Sequence, residues 1–301
     1  MAGLPWGMLV AAIQTTAGPE RESNLDAAGA LVEEAARAGA ELVVLPEYFS
    51  VAGSPEFLRQ HAEPLKGRTI AWASRVAEQW NIRLLAGSFP ERPERSGQRA
   101  NRDDPFDGRL FNTSCLIGPS GTIEAVYRKV HLFDVNLGDA SFCESATMAP
   151  GNELTIATLG RSSDPVDSRP PILGLSICYD LRFPELYRIL TLLGATVIAV
   201  PAAFTAITGP AHWELLLRAR AVENQVFVIG AAQVGDLPPG MPACHGHSMI
   251  VDPWGTVMAE HVEPNPGVIT AELDTDQQQR IRSDLPALAN RRPAAYRWPD
   301  D

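Results

Sequence analysis

Positive charge is scarce in this sequence, with 25 Lys and Arg against 36 Asp and Glu and a formal net charge of −11. A chain this acidic lacks the broad cationic footprint that nucleic acid or an anionic membrane surface requires, which makes small-molecule chemistry the better expectation. Cysteine is sparse as well. The four, Cys115, Cys143, Cys178 and Cys244, lie far apart and form neither a disulfide framework nor paired C-x-x-C zinc ligands, so a reducing cytoplasm suits them. No stretch approaches the about 20 uninterrupted apolar residues of a membrane helix. The opening "MAGLPWGMLVAAIQTT" has no basic n-region and no convincing cleavage site, and reads as a first strand, not as a signal peptide. Low-complexity segments and short solenoid repeats are absent too.

What is present is ample core material: 301 residues, 45% of them hydrophobic. Short apolar runs alternate with helical stretches, the pattern of an α/β protein whose packed sheets are covered by helices. "MLVAAIQ" reads as a strand. Leu25, Ala28, Leu31, Val32, Ala35 and Ala36 then mark one face of a helix that Gly39 ends. "ELVVLPE", "IRLLAGS", "FNTSCLIG" and "TIEAVYRKV" follow as strands, with a helix over about 68–80 and a hairpin at "PSG". Residues 90–109 and 131–153 read as irregular, and "RSSDPVDSRPP" as a connector. In the second half "ILGLSIC", "TVIAVPAAF", "QVFVIGAAQ", "HSMIVDP" and "GVITAELD" are strands, with helices from Pro184 to Gly194 and over 211–223. No interdomain linker stands out, so one domain over 1–301 is expected, with a C-terminal tail over about 275–301.

Three residues close apolar strands where chemistry is useful. Cys178 ends "ILGLSI" at a strand-to-helix junction, where free N–H groups and the helix dipole favour a thiolate. Alone it would be read as a small buried residue. Glu47 ends "LVVLP" as a candidate general base, and its alternative is a cap or a solvated carboxylate. Lys129, at the end of "AVYRK", would alone be a surface lysine. Together the three make a workable set: a carboxylate to take a thiol proton, a thiolate to attack a carbonyl or nitrile carbon, and an ammonium to stabilise the oxyanion.

The segments "LPEYF", "YRKVHLFD" and "CYDLRFPEL" resemble, in order and across nearly the whole chain, the glutamate, lysine and cysteine signatures of the nitrilase, or carbon–nitrogen hydrolase, superfamily. The resemblance implies a four-layer α-β-β-α sandwich, with Cys178 as nucleophile, Glu47 as general base and later acid, and Lys129 as oxyanion partner. It implies that the backbone N–H of Tyr179 also faces the oxyanion, and that Glu144 in "FCESATMAPG" supports the lysine. "AFTAITGPAHWELLLRARAVENQ" and "GHSMIVDPWGTV" resemble the Nit branch, and "CESATMAPG", "ITGPAHWELLLRARA" and "RRPAAY" its subgroup of amidases acting on deaminated glutathione more than its omega-amidases. In that branch Arg182 and Thr208 would engage an acidic end of a small amide substrate. For Arg182 a structural ion pair is the competing reading. The resemblance further implies a homodimer or larger homo-oligomer and no cofactor. "DVNLGDASF" departs from the proline-glycine turn that relatives often carry, which bears on loop shape.

Rival readings exist. A Cys–His arrangement could draw on His131, His212, His245 or His247, but the Glu–Lys–Cys set outweighs it. "CHGHS" brings Cys244, His245 and His247 together without a second ligand pair of zinc-like spacing, so no metal is expected there. A non-catalytic protein retaining the fold is the alternative of another class.

Overall fold

The computed structural model describes residues 7–93, 108–138, 140–160 and 170–295. The first half of the chain runs β1 (Gly7–Gln14), α1 (Arg21–Arg37), β2 (Leu42–Val44), α2 (Pro55–His61), α3 (Arg68–Trp80), β3 (Arg83–Leu85), β4 (Phe89–Glu91), β5 (Phe111–Ile117) and β6 (Ile123–Arg128). A small hairpin, β7 (Asp134–Leu137) and β8 (Ala140–Cys143), leads to β9 (Ile156–Thr158) and β10 (Ile172–Leu175). Then come α4 (Pro184–Leu192), β11 (Val197–Ala202), α5 (Gly209–Asn224), β12 (Phe227–Ala232), β13 (Val234–Gly235), β14 (Cys244–His245), β15 (Met249–Val251), β16 (Val257–Glu260), β17 (Gly267–Asp274) and α6 (Thr275–Asp284).

Two large sheets result. The seven-stranded sheet is ordered β17-β1-β2-β3-β5-β4 with β6 paired to β5, and the six-stranded sheet is ordered β16-β15-β12-β11-β10-β9. Their central strands, such as β2, β3, β11 and β12, are buried on both faces because each sheet is covered twice. In β1 the alternation is plain: Val10 and Ala12 join a core shared with Leu175, Val197 and Ile229 of the other sheet, while Ala11 and Ile13 pack under α1 and α3 beside Leu25, Val32 and Ala73. On the far side, Leu186 and Leu190 of α4 and Trp213 and Leu217 of α5 cover the six-stranded sheet. The layers are thus α-β-β-α, as the resemblance implied. Among the described residues no helix is long and apolar enough to cross a membrane.

The differences from the sequence reading lie where local signals are weak or short. Residues 134–143, read as irregular, form the β7–β8 hairpin; its Asp, Asn and Ser are poor strand formers, and pairing fixes what propensity would not. Within the expected loop after Pro90, β4 pairs with Phe111–Thr113 of β5. Short β16 pairs with β15, and α2 is capped by Ser54, whose hydroxyl accepts from Phe57 N at 3.2 Å. The expected tail starts with α6, capped by Asp274, whose carboxylate accepts from Gln277 N at 2.9 Å. "RSSDPVDSRPP" lies largely outside the described residues.

Candidate active site

The two central sheets deliver their strand ends to one cavity. Glu47 follows β2 by way of Leu45 and Pro46, Lys129 follows β6, and Cys178 opens a short helical turn, Cys178–Arg182, just past β10. Two of these ends carry non-glycine residues in the left-handed region, Tyr48 at φ 56° and Cys178 at φ 45°. Such conformations cost about 1–3 kcal/mol each and persist where the surroundings impose them. The segment Ala86–Ser88 imposes the first: Gly87, at φ 26°, lies so close beneath Pro46 that a Cβ there would sit 1.9 Å from the Pro46 carbonyl oxygen. Ser88 Oγ accepts from Tyr48 N at 3.1 Å. Asp180 imposes the second, its Oδ2 accepting from Ile177 N at 2.8 Å.

Glu47 and Lys129 are each only 2% exposed. Lys129 Nζ donates to Glu47 Oε1 at 2.9 Å and to Glu144 Oε2 at 2.8 Å, so one ammonium is held between two carboxylates. Glu47 Oε2 accepts from the backbone N–H of Ala203 at 2.8 Å, and the Glu47 carbonyl from Gln233 Nε2 at 3.0 Å. Glu144 Oε2 also accepts from Phe133 N at 2.7 Å and its Oε1 from Tyr48 Oη at 3.2 Å. Asn112 Nδ2 bridges the pair, 2.8 Å from Glu47 Oε1 and 3.0 Å from Glu144 Oε1.

The electrostatics follow from burial among these charges. Burial works against the Lys129 ammonium, yet Glu144 and Glu47 prevail and hold it well above its ordinary value. Burial likewise works against ionised Glu144, and Lys129, then its other hydrogen-bond donors, hold its carboxyl below the usual range. Cys178 goes the other way. Burial, then the Glu47 carboxylate beside it, push the thiol well above its ordinary value, with Lys129 a weaker opposing pull. Cys178 is thus held toward its thiol form, with the Glu47 carboxylate beside it.

The cavity, of about 190 Å³, is lined by Glu47, Lys129, Glu144, Cys178, Tyr179, Arg182 and Thr208, the full set that the resemblance implied. Phe133, Phe142, Met148, Phe204 and Met241 supply apolar walls. Arg182 lines the same cavity, with Nη2 donating to Thr208 Oγ1 at 3.3 Å and Nη1 3.2 Å from His212 Nδ1. Among the described residues no carboxylate pairs with its guanidinium, so the ion-pair alternative has no partner there. Asp180 is fully buried and braces the cysteine turn, and Glu185 sits in the first turn of α4, where a carboxylate favours the helix dipole.

Among the described residues, no histidine lines the cavity. His131 bonds Asp180 at 2.8 Å, and His247 Nδ1 bonds Glu260 at 2.7 Å and stacks on His245. Cys244 is buried, with its Sγ 3.7 Å from the Pro242 carbonyl oxygen. Asn112, Tyr48, Ala203 and Gln233 are the site residues that sequence reasoning missed. Gln233 follows the fully apolar β12, which was the available signal, whereas Asn112 sits beside Thr113 and Ser114 and did not stand out.

Set beside known proteins, residues 9–283 match the carbon–nitrogen hydrolase family. Over 292 residues the chain is 42% identical to a deaminated glutathione amidase of Synechocystis sp., covering 94% of this chain and 97% of that one. It is 36% identical to an omega-amidase of Xenopus tropicalis, covering 94% and 95%. In structure it is similar to Nit3 of Saccharomyces cerevisiae, a member of branch 10 of the nitrilase superfamily, with TM-score 0.79, 31% identity, and 95% and 97% of the two chains covered. The fold, the cavity at its strand ends and these likenesses converge: the chain belongs to the carbon–nitrogen hydrolase family.

Proposed function

We propose that the protein is an amidase working through a covalent cysteine intermediate. The observation that bears most on this is the buried Glu47–Lys129–Glu144 cluster bordering Cys178 in one cavity. Glu47 takes the Cys178 proton and the thiolate attacks the amide carbonyl carbon. Of the three N–H groups on Lys129 Nζ, two are committed to Glu47 and Glu144, and the third is free to donate to the oxyanion together with the backbone N–H of Tyr179. Glu144 holds Lys129 in place. The tetrahedral intermediate collapses as Glu47 returns the proton to the departing amine, leaving a thioester on Cys178. Glu47 then deprotonates a water that attacks the thioester, and the carboxylate product leaves with Cys178 restored as a thiol. The scheme is redox-neutral and uses no cofactor.

For the substrate, the reading is a small amide with an acidic end held by Arg182 and Thr208. Guanidinium binds carboxylate bidentately, and Arg182 faces the cavity with no carboxylate partner among the described residues. The identity to deaminated glutathione amidases supports deaminated glutathione, cleaved to 2-oxoglutarate and cysteinylglycine in a metabolite-repair role. The lower identity to an omega-amidase keeps 2-oxoglutaramate as the second reading. The test is kcat/KM for both compounds, with Cys178→Ala as the blank. A preference for deaminated glutathione is expected. Preference for 2-oxoglutaramate moves the substrate and keeps the mechanism, whereas turnover of neither by folded protein overturns the substrate class. Self-association and a cytoplasmic setting belong to the same reading: Leu192, Leu193, Leu215 and Val222 leave apolar surface exposed on and beside α4 and α5, and sedimentation of the pure protein reports the oligomer.

A further inference from the structure

Asn112 belongs to none of the three motifs, yet its amide touches both carboxylates of the cluster. Nδ2 donates at 2.8 Å to Glu47 Oε1 and at 3.0 Å to Glu144 Oε1, and the Asn112 carbonyl accepts from Lys129 N at 2.9 Å. The residue lies in β5 and is fully buried. Only the NH₂ end can face two carboxylates, since a flipped amide would set a carbonyl oxygen against both. The other end, Oδ1, is buried without a hydrogen-bond partner among the described residues. An orphaned acceptor costs about 1–3 kcal/mol, and an apolar side chain at this fully buried position would avoid it. What asparagine supplies in return is a donor to both carboxylates of the cluster.

The bonds on Glu47 show what it does. Oε1 takes two donors, Lys129 and Asn112, while Oε2 takes only the Ala203 N–H among the described residues, and that N–H also faces the Cys178 sulfur. Building on the amidase reading, we infer that Asn112 is a positioning residue: with Lys129 it occupies Oε1 of Glu47, which leaves Oε2, on the cysteine side, as the oxygen that takes and returns the proton. By holding Glu144 with the same amide it also fixes the second carboxylate against Lys129. The charged and titratable groups around the amide are Glu47, Glu144 and Lys129, with Tyr48 bonded to Glu144 and Cys178 beside Glu47.

Asn112→Ser and Asn112→Asp test this. Losing the donor weakens the ionised form of Glu47, and adding a third carboxylate weakens it further. The acid limb of kcat/KM is expected to move to higher pH, more in Asn112→Asp than in Asn112→Ser, and plateau kcat to fall about 10- to 100-fold with KM changed less. The same acid limb is read without any amide from the pH dependence of Cys178 inactivation by iodoacetamide, so a wrong substrate leaves this test standing. Should Asn112→Asp fail to fold, Asn112→Ser with the inactivation profile suffices. Activity lost with an unmoved acid limb assigns Asn112 to packing and overturns the inference, as does wild-type kcat in Asn112→Ser.

Discussion

Asp180 Oδ2 accepts a hydrogen bond from the Tyr127 hydroxyl at 2.7 Å. The contact ties the strand that delivers Lys129 to the turn that delivers Cys178, and the same carboxylate also takes Ile177 N, His131 N and the His131 ring at 2.8–3.0 Å. Asp180→Ala would leave the Tyr127 hydroxyl and Ile177 N buried without this acceptor, and His131 without its partner. The expected loss is about 3 kcal/mol or more in urea unfolding, with turnover per folded molecule reduced because the left-handed Cys178 loses its brace. Tyr127→Phe removes one bond of the set and should cost about 1 kcal/mol. Wild-type stability in both variants would show that the two motifs are held together by other contacts.

Lys129 sets the pH range over which its cluster stabilises the fold. Glu144 is held below the ordinary 4.5, so its contribution is present above that value and lost as pH falls through its folded pKa. Lys129 is held above the ordinary 10.5, so its contribution is full below that value and lost as pH rises through its folded pKa. In Lys129→Met, Glu47 and Glu144 share the Asn112 amide without a counter-ion, and one of them must hold a proton. That raised carboxyl makes the variant lose stability as pH climbs above about 4.5, where the wild-type contribution of Glu144 is already complete. At neutral pH the deficit is expected to be about 3–5 kcal/mol. Urea melts at acidic and neutral pH measure it, and a deficit independent of pH would contradict the picture.

Glu47, Lys129 and Cys178 were legible because each closes an apolar run with a reactive side chain, and the segments around them carry the resemblance. The four layers were legible only through that resemblance, since alternation of strands and helices does not say which sheet a strand joins. Asn112 and Gln233 escaped notice for a physical reason. Their work is done by side-chain bonds to residues far away in sequence, Asn112 to Glu47 and Gln233 to Thr15 and the Glu47 carbonyl, and no local period or cap announces such bonds. The β7–β8 hairpin was hidden because pairing, not propensity, makes it.

Arg182 separates substrate binding from chemistry. It touches Thr208 and His212, and the acidic cluster is bonded by other groups. In Arg182→Gln, KM for an amide bearing a carboxylate is expected to rise about 10- to 100-fold, matching the about 1.5–3 kcal/mol of a hydrogen bond to a charged group, with kcat affected less. A short neutral amide should be hydrolysed as slowly by the variant as by the wild type. Equal losses on both compounds would mean that Arg182 supports the site instead of holding the acid.

Glu47→Gln should move two observables in opposite directions. Burial and then the Glu47 carboxylate raise the Cys178 thiol, while Lys129 pulls it down. Removing the negative charge and keeping Lys129 therefore lets thiolate form at lower pH than in the wild type, read from absorbance near 240 nm against Cys178→Ala. Turnover should nonetheless fall by about 10²- to 10⁴-fold, because the glutamine can neither protonate the departing amine nor activate the water. Glutamine also cannot match every partner of Glu47: Lys129 and Asn112 donate to one oxygen and the Ala203 N–H to the other, so its NH₂ must face a donor, at a cost of about 1–3 kcal/mol. Activity is for that reason scaled to folded protein. More thiolate with less hydrolysis would mean that Glu47 acts by carrying protons through the cycle and not by keeping the cysteine ionised. Turnover retained, or thiolate formation left unmoved, would remove it from that role.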